Sequence, residues 1–357
     1  MAYEKPSCSM NRLDKACARL FQPDCAADEW VEGLQLLSNW RAAHSYPLNA
    51  LNTTLRNRIL SVDKDAITAQ RLKRLESVLR KLRRRPTMQM SQMQDVGGCR
   101  AVVGGMGNLG KVLRLYVDRP LRHSLNKIDN YIDTPKEDGY RSIHMRYRFA
   151  GRATASPWNN LRIEVQIRTK LQHSWATAVE TVDAFTGENV KFGSGTQKWR
   201  RFFSLMGSVH AFYERQPLVP STPTSVTELR EELADLSNDL NVAYMLRSYA
   251  RIGRQMQGYM NGKDYWYLLE LMPETSAVKM TSYPTRMSEA AKVDYAEAEK
   301  RFTGTLNQAV LVSVDSIKDL QKAYPNFFGD TRLFLSSLER FLSEERQARN
   351  KLFPILM

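Results

Sequence analysis

The sequence predicts an α/β (α+β) fold, with a mixed sheet flanked by helices and a second, smaller α/β module towards the C-terminus. Residues 161–168 alternate strictly between apolar and polar side chains, and residues 142–149 repeat that alternation. This is the period of a strand with one buried face. Further along, apolar runs at residues 265–271 and 309–314 flank a helical pattern at 286–303, which is typical of a small α/β unit.

The two alternating strands each offer a polar face. In residues 161–168, Glu164, Gln166 and Arg168 share the face opposite to the apolar side chains, and His144 lies on the corresponding face of the other strand. A carboxylate, an amide and a guanidinium within one strand length can together hold a metal ion and an anionic substrate. We therefore expect a functional site on this side of the sheet.

Other segments predict the elements around this sheet. Residues 1–60 have apolar side chains three and four positions apart, as in helices, and leucines with the same spacing predict a helix over 66–85 that Pro86 ends. A short buried strand follows, opened by Asp95 and containing a pair of glycines, and then a crossover helix over 107–122. Residues 226–258 predict a further helix, and residues 185–194 a mobile loop.

The domain organisation follows from these patterns. We expect an N-terminal helical segment (1–60), a main α/β domain (61–215), a linker (216–227) and a C-terminal α/β module (228–357). The linker is indicated by the run Ser221–Ser225, which is rich in serine, threonine and proline.

Charge is concentrated on the segment that carries the polar strands. The 357-residue chain has a net charge of +14, and residues 71–151 alone account for +11. Such a field attracts polyphosphates, and it would equally attract RNA.

Composition excludes several classes of protein. Four unevenly spaced cysteines make neither a disulfide scaffold nor a usual zinc module. No apolar run approaches the roughly 20 residues of a membrane helix, and the N-terminus has no signal-peptide layout. We expect a cytoplasmic protein that does not enter a membrane.

Two motifs carry a resemblance to a known family. They are the loop 135–144, of sequence PKEDGYRSIH, and the strand 164–169, of sequence EVQIRT, with Lys127 before them and His173 and Trp175 after. Over roughly residues 50–215 the chain resembles the synthetase domain of the RelA/SpoT family. Those enzymes have a nucleotidyltransferase-like fold and move a pyrophosphate from ATP onto the ribose 3′-hydroxyl of a guanine nucleotide.

The resemblance implies roles for individual residues. On the ATP side, the matching residues are Arg71, Lys73, Ser77, Lys81 and Arg100. On the acceptor side they are Lys127, Lys136, Tyr140, His144, Gln166 and Arg168, with Tyr140 as the face on which a base stacks. Asp95 and Glu164 match the carboxylates that hold Mg²⁺, and Glu164 is also expected to accept the hydroxyl proton.

The implied function is a pyrophosphokinase that uses ATP and GDP or GTP to make the alarmone (p)ppGpp and AMP. Residues 1–60 lack the His-Asp dipeptide of a metal-dependent hydrolase, so we expect synthesis without degradation. Two alternatives stay open: a toxin that pyrophosphorylates the 3′-CCA end of tRNA, and an inactive nucleotide sensor. A homo-oligomer, or a regulatory partner bound through the C-terminal module, is also compatible with the sequence.

Overall fold

The structure, a computed structural model, describes residues 3–186, 196–247, 265–272, 275, 277–305, 307–314 and 331–352. Its main feature is a five-stranded mixed sheet with the strand order β1-β2-β5-β4-β3. The strands are β1 (Ile67–Leu72), β2 (Gly97–Val103), β3 (Ser124–Asn130), β4 (Ile143–Arg148) and β5 (Arg162–Thr169). Flanking helices make this the mixed α/β architecture that the sequence predicts.

The register of the sheet places the polar side chains in rows. β2 and β5 are parallel neighbours, and all other pairs in the sheet are antiparallel. One row runs through Arg71, Gly98, Glu164, Arg146 and Lys127, one residue from each strand. Since directly paired residues point to the same face of a sheet, this row and the next one build a single polar surface.

Three helices precede the sheet, as the sequence predicts for residues 1–60: α1 (Met10–Arg19), α2 (Ala27–Ala43) and α3 (Ser45–Leu60). Helix α3 packs on the apolar side of β1, β2 and β5. Ile163, Val165 and Ile167 are buried there, in one core with Leu51 and Leu55 of α3. The expected inward face of β5 is confirmed.

The expected helix over residues 66–85 is wrong in its first half. Residues 67–72 form β1, and only Leu75–Arg84 form a helix, α4. β1 pairs along its whole length with β2, and these interstrand hydrogen bonds override a leucine spacing that continues from the helix into the strand. Arg71 therefore projects from a strand and Lys73 from the connection after it. Helix α5 (Met106–Asp118) confirms the expected crossover.

Four further helices form a second layer, of which α6 packs against β2 and β5: α6 (Lys170–Thr186), α7 (Gln197–Glu214), α8 (Val226–Asp239) and α10 (Arg332–Leu352). Its core is aromatic, with Phe202 and Phe203 of α7 packed against Phe334 of α10. This core continues on both sides of the expected linker. The division at 216–227 stays a prediction.

The expected helix over 226–258 is interrupted. α8 ends at Asp239, and Asn241 has φ +48°, a left-handed conformation that ends a helix; a helical stretch resumes at 242–247. The expected loop at 185–194 begins within α6, and its residues from 187 onward lie outside the described residues.

The C-terminal part contains a three-stranded antiparallel sheet with the order β7-β6-β8. Its strands are β6 (Tyr265–Met272), β7 (Ala277–Pro284) and β8 (Gln308–Val314), and helix α9 (Ser288–Arg301) packs on it. The sequence pattern indicated β6, α9 and β8 but missed β7. None of the helices in the described ranges is both long and apolar enough to cross a membrane.

Candidate active site

A cavity of about 1080 Å³ lies over the polar face of the five-stranded sheet. Helices α6, α7 and α8 also contribute to its walls. Eleven of the residues expected at a site line it: Arg71, Lys73, Lys81, Asp95, Arg100, Lys136, Tyr140, His144, Glu164, Gln166 and Arg168. In total eleven Lys or Arg and seven Asp or Glu line the cavity, so its chemistry suits a polyanion.

Asp95 lies in the turn that precedes β2 and is bound by two lysines. Its Oδ2 accepts a hydrogen bond from Lys73 Nζ at 2.8 Å and its Oδ1 one from Lys81 Nζ at 2.8 Å. Burial alone would raise the pKa of the Asp95 carboxyl, but the two ammonium groups outweigh burial and hold that pKa well below its usual range. Asp95 is therefore ionised at neutral pH.

Glu164 projects from β5 into the same cavity and is 7% exposed. Its Oε1 lies 3.0 Å from His144 Nδ1, and its Oε2 accepts a hydrogen bond from Gln166 Nε2 at 2.7 Å. Burial, the largest effect, and the negative charge of Asp95 both raise the pKa of Glu164. The hydrogen bonds from His144 and Gln166 and the charge of His144 lower it by more, so the pKa lies below its usual value. The two carboxylates are thus close enough to repel each other, and both are ionised.

His144 connects Glu164 to Tyr140. The Tyr140 hydroxyl lies 2.8 Å from His144 Nε2, on the side of the ring away from Glu164. An ionised carboxylate can only accept hydrogen bonds, so His144 Nδ1 must carry a proton. His144 thus bonds to Glu164 through Nδ1 and to the Tyr140 hydroxyl through Nε2, and the three side chains form one continuous hydrogen-bonded chain.

Tyr140 is held by aromatic and cationic neighbours. The Nζ of Lys136 lies 5.0 Å from the Tyr140 ring centroid and 4.2 Å from that of Tyr131. Trp175 meets the ring edge-on at 6.1 Å between centroids. The backbone N–H of Tyr140 donates to Asp138 Oδ1 at 2.9 Å. The ring of Tyr140 is thus held in place before any ligand binds.

Three arginines supply cationic charge on the floor of the cavity. Within the described ranges, no ion pair or hydrogen bond of the Arg71 or Arg100 side chain is found, and Arg100 Nε is buried without a partner. Arg168 is 2% exposed and contacts His173 Nδ1. Burial and the charge of Arg100 lower the pKa of Arg168, although a guanidinium stays protonated at neutral pH. Uncompensated guanidinium groups of this kind favour a bound anion.

Gly98 leaves open space between Arg71 and Glu164. A β-carbon built on Gly98 would have only the Glu164 carbonyl oxygen within 4 Å, at 3.9 Å. A small recess of about 60 Å³ lies here, lined among others by Arg71, Asp95 and Glu164. The glycine thus keeps the floor open at the point where the cations and carboxylates meet.

Two expected site residues do not line the cavity. Ser77 lies on α4, and Lys127 lies on β3 with its Nζ 2.8 Å from Asp129 Oδ1. Asp129 Oδ2 in turn pairs with Arg146 at 2.6 Å, so Lys127 reaches the cavity wall only through this carboxylate. Tyr131 and Arg146 also line the cavity, although no role for either was predicted from the sequence. The pairing of β3 with β4 would have placed both near His144.

The carboxylates of the cavity offer enough ligands for a hard divalent cation only when a bound substrate adds its phosphate oxygens. Among the described residues no group of three or more His, Cys, Asp or Glu could hold a metal ion. Asp95 and Glu164 offer oxygen ligands, and Mg²⁺ is commonly held by one or two carboxylates plus phosphate oxygens. Each oxygen of Asp95 accepts one lysine and keeps a second lone pair for a cation.

The central segment of the chain is similar to known proteins. Residues 70–183 match the family model described as "Region found in RelA / SpoT proteins", which confirms the resemblance that the motifs indicate. The matched segment includes the last three residues of β1, all of β2 to β5 and nearly all of α6, and thus nearly every cavity residue named above.

Individual relatives are similar over parts of their length. An uncharacterized protein of Mycobacterium tuberculosis is 30% identical over 135 residues, which are 36% of this chain and 43% of that protein. The chain therefore spans less than half the length of that relative. The GTP pyrophosphokinase YwaC of Bacillus subtilis is 29% identical over 161 residues, which are 40% of this chain and 73% of YwaC. Among solved structures, small alarmone synthetase 2 of Bacillus subtilis is 20% identical, with a TM-score of 0.42 over 50% of this chain and 94% of that one.

Proposed function

We propose that this protein transfers the β,γ-pyrophosphate of ATP to the 3′-hydroxyl of GDP or GTP, which forms (p)ppGpp and releases AMP. The observation that carries the proposal is that Asp95 and Glu164 share one cationic cavity with a shaped aromatic face at Tyr140. The RelA/SpoT match and the name of the relative YwaC support the same activity. We also propose that the protein acts in the cytoplasm, where these nucleotides occur.

The donor end of the cavity would be the region of Arg71, Lys73, Lys81 and Arg100. A guanidinium can stack on a base or hold phosphate oxygens in a fork, whereas a lysine acts as a point charge. The phosphates of ATP would take over the ammonium groups of Lys73 and Lys81, which Asp95 now holds at 2.8 Å. This exchange would free the Asp95 oxygens for a cation. Ser77 does not line the cavity, so its role at the ATP site would be indirect, through helix α4, which also carries Lys81.

The acceptor end would be the region around Tyr140. A purine can stack on its ring, and stacking of a base on an aromatic side chain contributes roughly 1–3 kcal/mol. His144, Gln166 and Arg168 lie beside the ring and can bind the sugar and phosphates, while Lys136 adds a charge. Lys127 would act through Asp129 and Arg146.

The transfer would form a bond between the acceptor 3′-oxygen and the β-phosphorus and break the bond from that phosphorus to the oxygen of the AMP leaving group. The hydroxyl proton would pass to Glu164, which is ionised and therefore able to accept it. A low pKa makes Glu164 a weak base, but phosphoryl transfer depends mainly on positioning and charge neutralisation. Bound Mg²⁺, held by Asp95 and Glu164, would neutralise phosphate charge.

The acceptor can be identified by one labelling experiment. The full chain is incubated with γ-labelled ATP and, in separate reactions, GDP, GTP or bulk tRNA. Label in a guanosine nucleotide, with AMP released in equal amount, is the expected result. Label in tRNA would instead identify the toxin activity, and nucleotide binding without any transfer would identify a sensor.

A further inference from the structure

Glu299 of α9 lies where three parts of the molecule meet. Its Oε1 accepts a hydrogen bond from the backbone N–H of Leu75, 224 positions earlier in the chain, at 3.1 Å. Its Oε2 lies 3.5 Å from Arg41 of α2, and the Tyr295 hydroxyl donates to Oε1 at 2.5 Å. The Glu299 side chain is only 11% exposed. A residue of the C-terminal module thus bonds directly to the start of α4.

The start of α4 has no cap of its own. Arg74 precedes the helix, and its side chain makes no capping hydrogen bond. The first N–H groups of a helix lack partners within the helix and carry its positive partial charge, so a carboxylate there is favourable. Glu299 supplies that acceptor and that negative charge from another part of the chain.

The capped segment carries the cations of the proposed donor site. Arg71 and Lys73 lie just before Leu75, and Lys81 lies within α4. The backbone N–H of Lys73 donates to the Val96 carbonyl oxygen at 2.8 Å. Lys73 is therefore anchored on the side of the sheet, and Leu75, two residues later, is anchored by Glu299.

We propose that Glu299 is a positioning residue for ATP: it caps α4 and fixes Arg71, Lys73 and Lys81 in place, so that the C-terminal module acts on the donor end of the cavity. The inference rests on the proposed function, because it assigns ATP to that end. Glu299 lines neither the main cavity nor the small recess, so it acts through the segment that it holds.

Three variants of the full chain test this role by steady-state kinetics. Glu299→Ala removes both the acceptor oxygen and the charge, and we expect roughly a five-fold higher KM for ATP, the order of effect of a lost helix cap, with an unchanged KM for the acceptor. Glu299→Gln keeps an acceptor oxygen and should recover most of the ATP affinity. Glu297→Ala, an exposed position on the same helix, is the matched control and should behave as wild type.

Hydrogen–deuterium exchange over residues 73–79 reports the cap without any need for turnover. We expect faster exchange in Glu299→Ala and wild-type exchange in Glu297→Ala. Faster exchange with an unchanged KM for ATP, or an equal rise in KM for both substrates, would overturn the positioning role. If the wild-type chain transfers no pyrophosphate, the proposed function fails, and the Kd of a non-hydrolysable ATP analogue then decides the role of Glu299 in the same way.

Discussion

Gly207 of α7 lies in direct backbone contact with Gly139 of the loop that carries Tyr140. A β-carbon on Gly207 would stand 2.6 Å from the Gly139 Cα, and one on Gly139 would stand 2.7 Å from the Phe203 carbonyl oxygen. Gly139 also has φ +90°, which side chains rarely permit. The position of Tyr140 in the cavity therefore depends on two residues without side chains.

Alanine at either glycine should displace this loop. We expect Gly139→Ala and Gly207→Ala each to lower the free energy of unfolding by about 2–3 kcal/mol, because the added carbon overlaps with backbone atoms. Urea unfolding measures this. Gly110→Ala in α5 is the control: its β-carbon meets nothing within 4 Å, so it should stabilise the protein by about 0.5–1 kcal/mol. Equal stability of all three variants would contradict the contact.

A side chain at Gly98 should close the recess between Arg71 and Glu164. We expect Gly98→Val to reduce kcat/KM roughly ten-fold or more, since a small displacement of a substrate can have an effect of this size. The melting temperature should not fall, because the β-carbon meets no atom closer than 3.9 Å and valine favours strands. Wild-type kinetics in a folded Gly98→Val variant would show that substrates do not approach this part of the floor.

Asp95→Asn separates the two roles of the carboxylate. The change removes the proposed cation ligand but releases Lys73 and Lys81 to bind phosphates. We therefore expect kcat to fall by about 10²-fold or more, with a KM for ATP that is unchanged or lower. Asp118→Asn, at an exposed position with the same chemical change, should match wild type. A higher KM at normal kcat would mean that Asp95 only arranges the lysines.

The pH dependence of kcat should reveal the contact of His144 with Glu164. The pKa of Glu164 lies below its ordinary value of 4.5, so the carboxylate stays ionised and active as pH falls until its lowered pKa is reached. In His144→Ala, the hydrogen bond and the charge of His144 no longer offset the effects of burial and Asp95, so the pKa of Glu164 should rise. The acid limb of the profile should therefore move to higher pH.

Two observations control this experiment. His123→Ala, a half-buried histidine that does not line the cavity, should leave the acid limb in place. Circular dichroism at each pH separates titration from unfolding. An unmoved limb in folded His144→Ala would mean that another group sets it.

The sequence allowed the polar face of the central strands to be predicted, because a period of two is visible within a single segment. The alternation in 161–168 placed Glu164, Gln166 and Arg168 together, and the motifs placed Tyr140 and Asp95 with them. The partners of these groups were harder to predict. Nothing in a local pattern shows that both Lys73 and Lys81 bind Asp95, since that depends on how β1 and α4 return to the turn before β2.

The wrong predictions have the same cause, because a local sequence pattern does not show how distant segments pair. The leucine spacing of α4 extends back to Leu72, and only the pairing of β1 with β2 makes 67–72 a strand. The contact of Gly139 with Gly207 and that of Glu299 with Leu75 join distant segments, so no window of sequence contains them. Most helices and strands could be predicted from local periodicity, whereas the contacts between distant segments are visible only in the three-dimensional structure.

The central claim, that Glu164 serves transfer of pyrophosphate to a guanosine nucleotide, is tested by comparing wild type with Glu164→Gln. The substitution keeps the size and removes the charge, and Glu231→Gln at an exposed position of α8 is the control. With γ-labelled ATP and GTP or GDP, we predict label in the guanosine nucleotide for wild type and the control, and a rate lower by roughly 10²–10⁴ in folded Glu164→Gln. Transfer at the wild-type rate in Glu164→Gln, or no transfer by the wild-type chain to either nucleotide, would contradict the account.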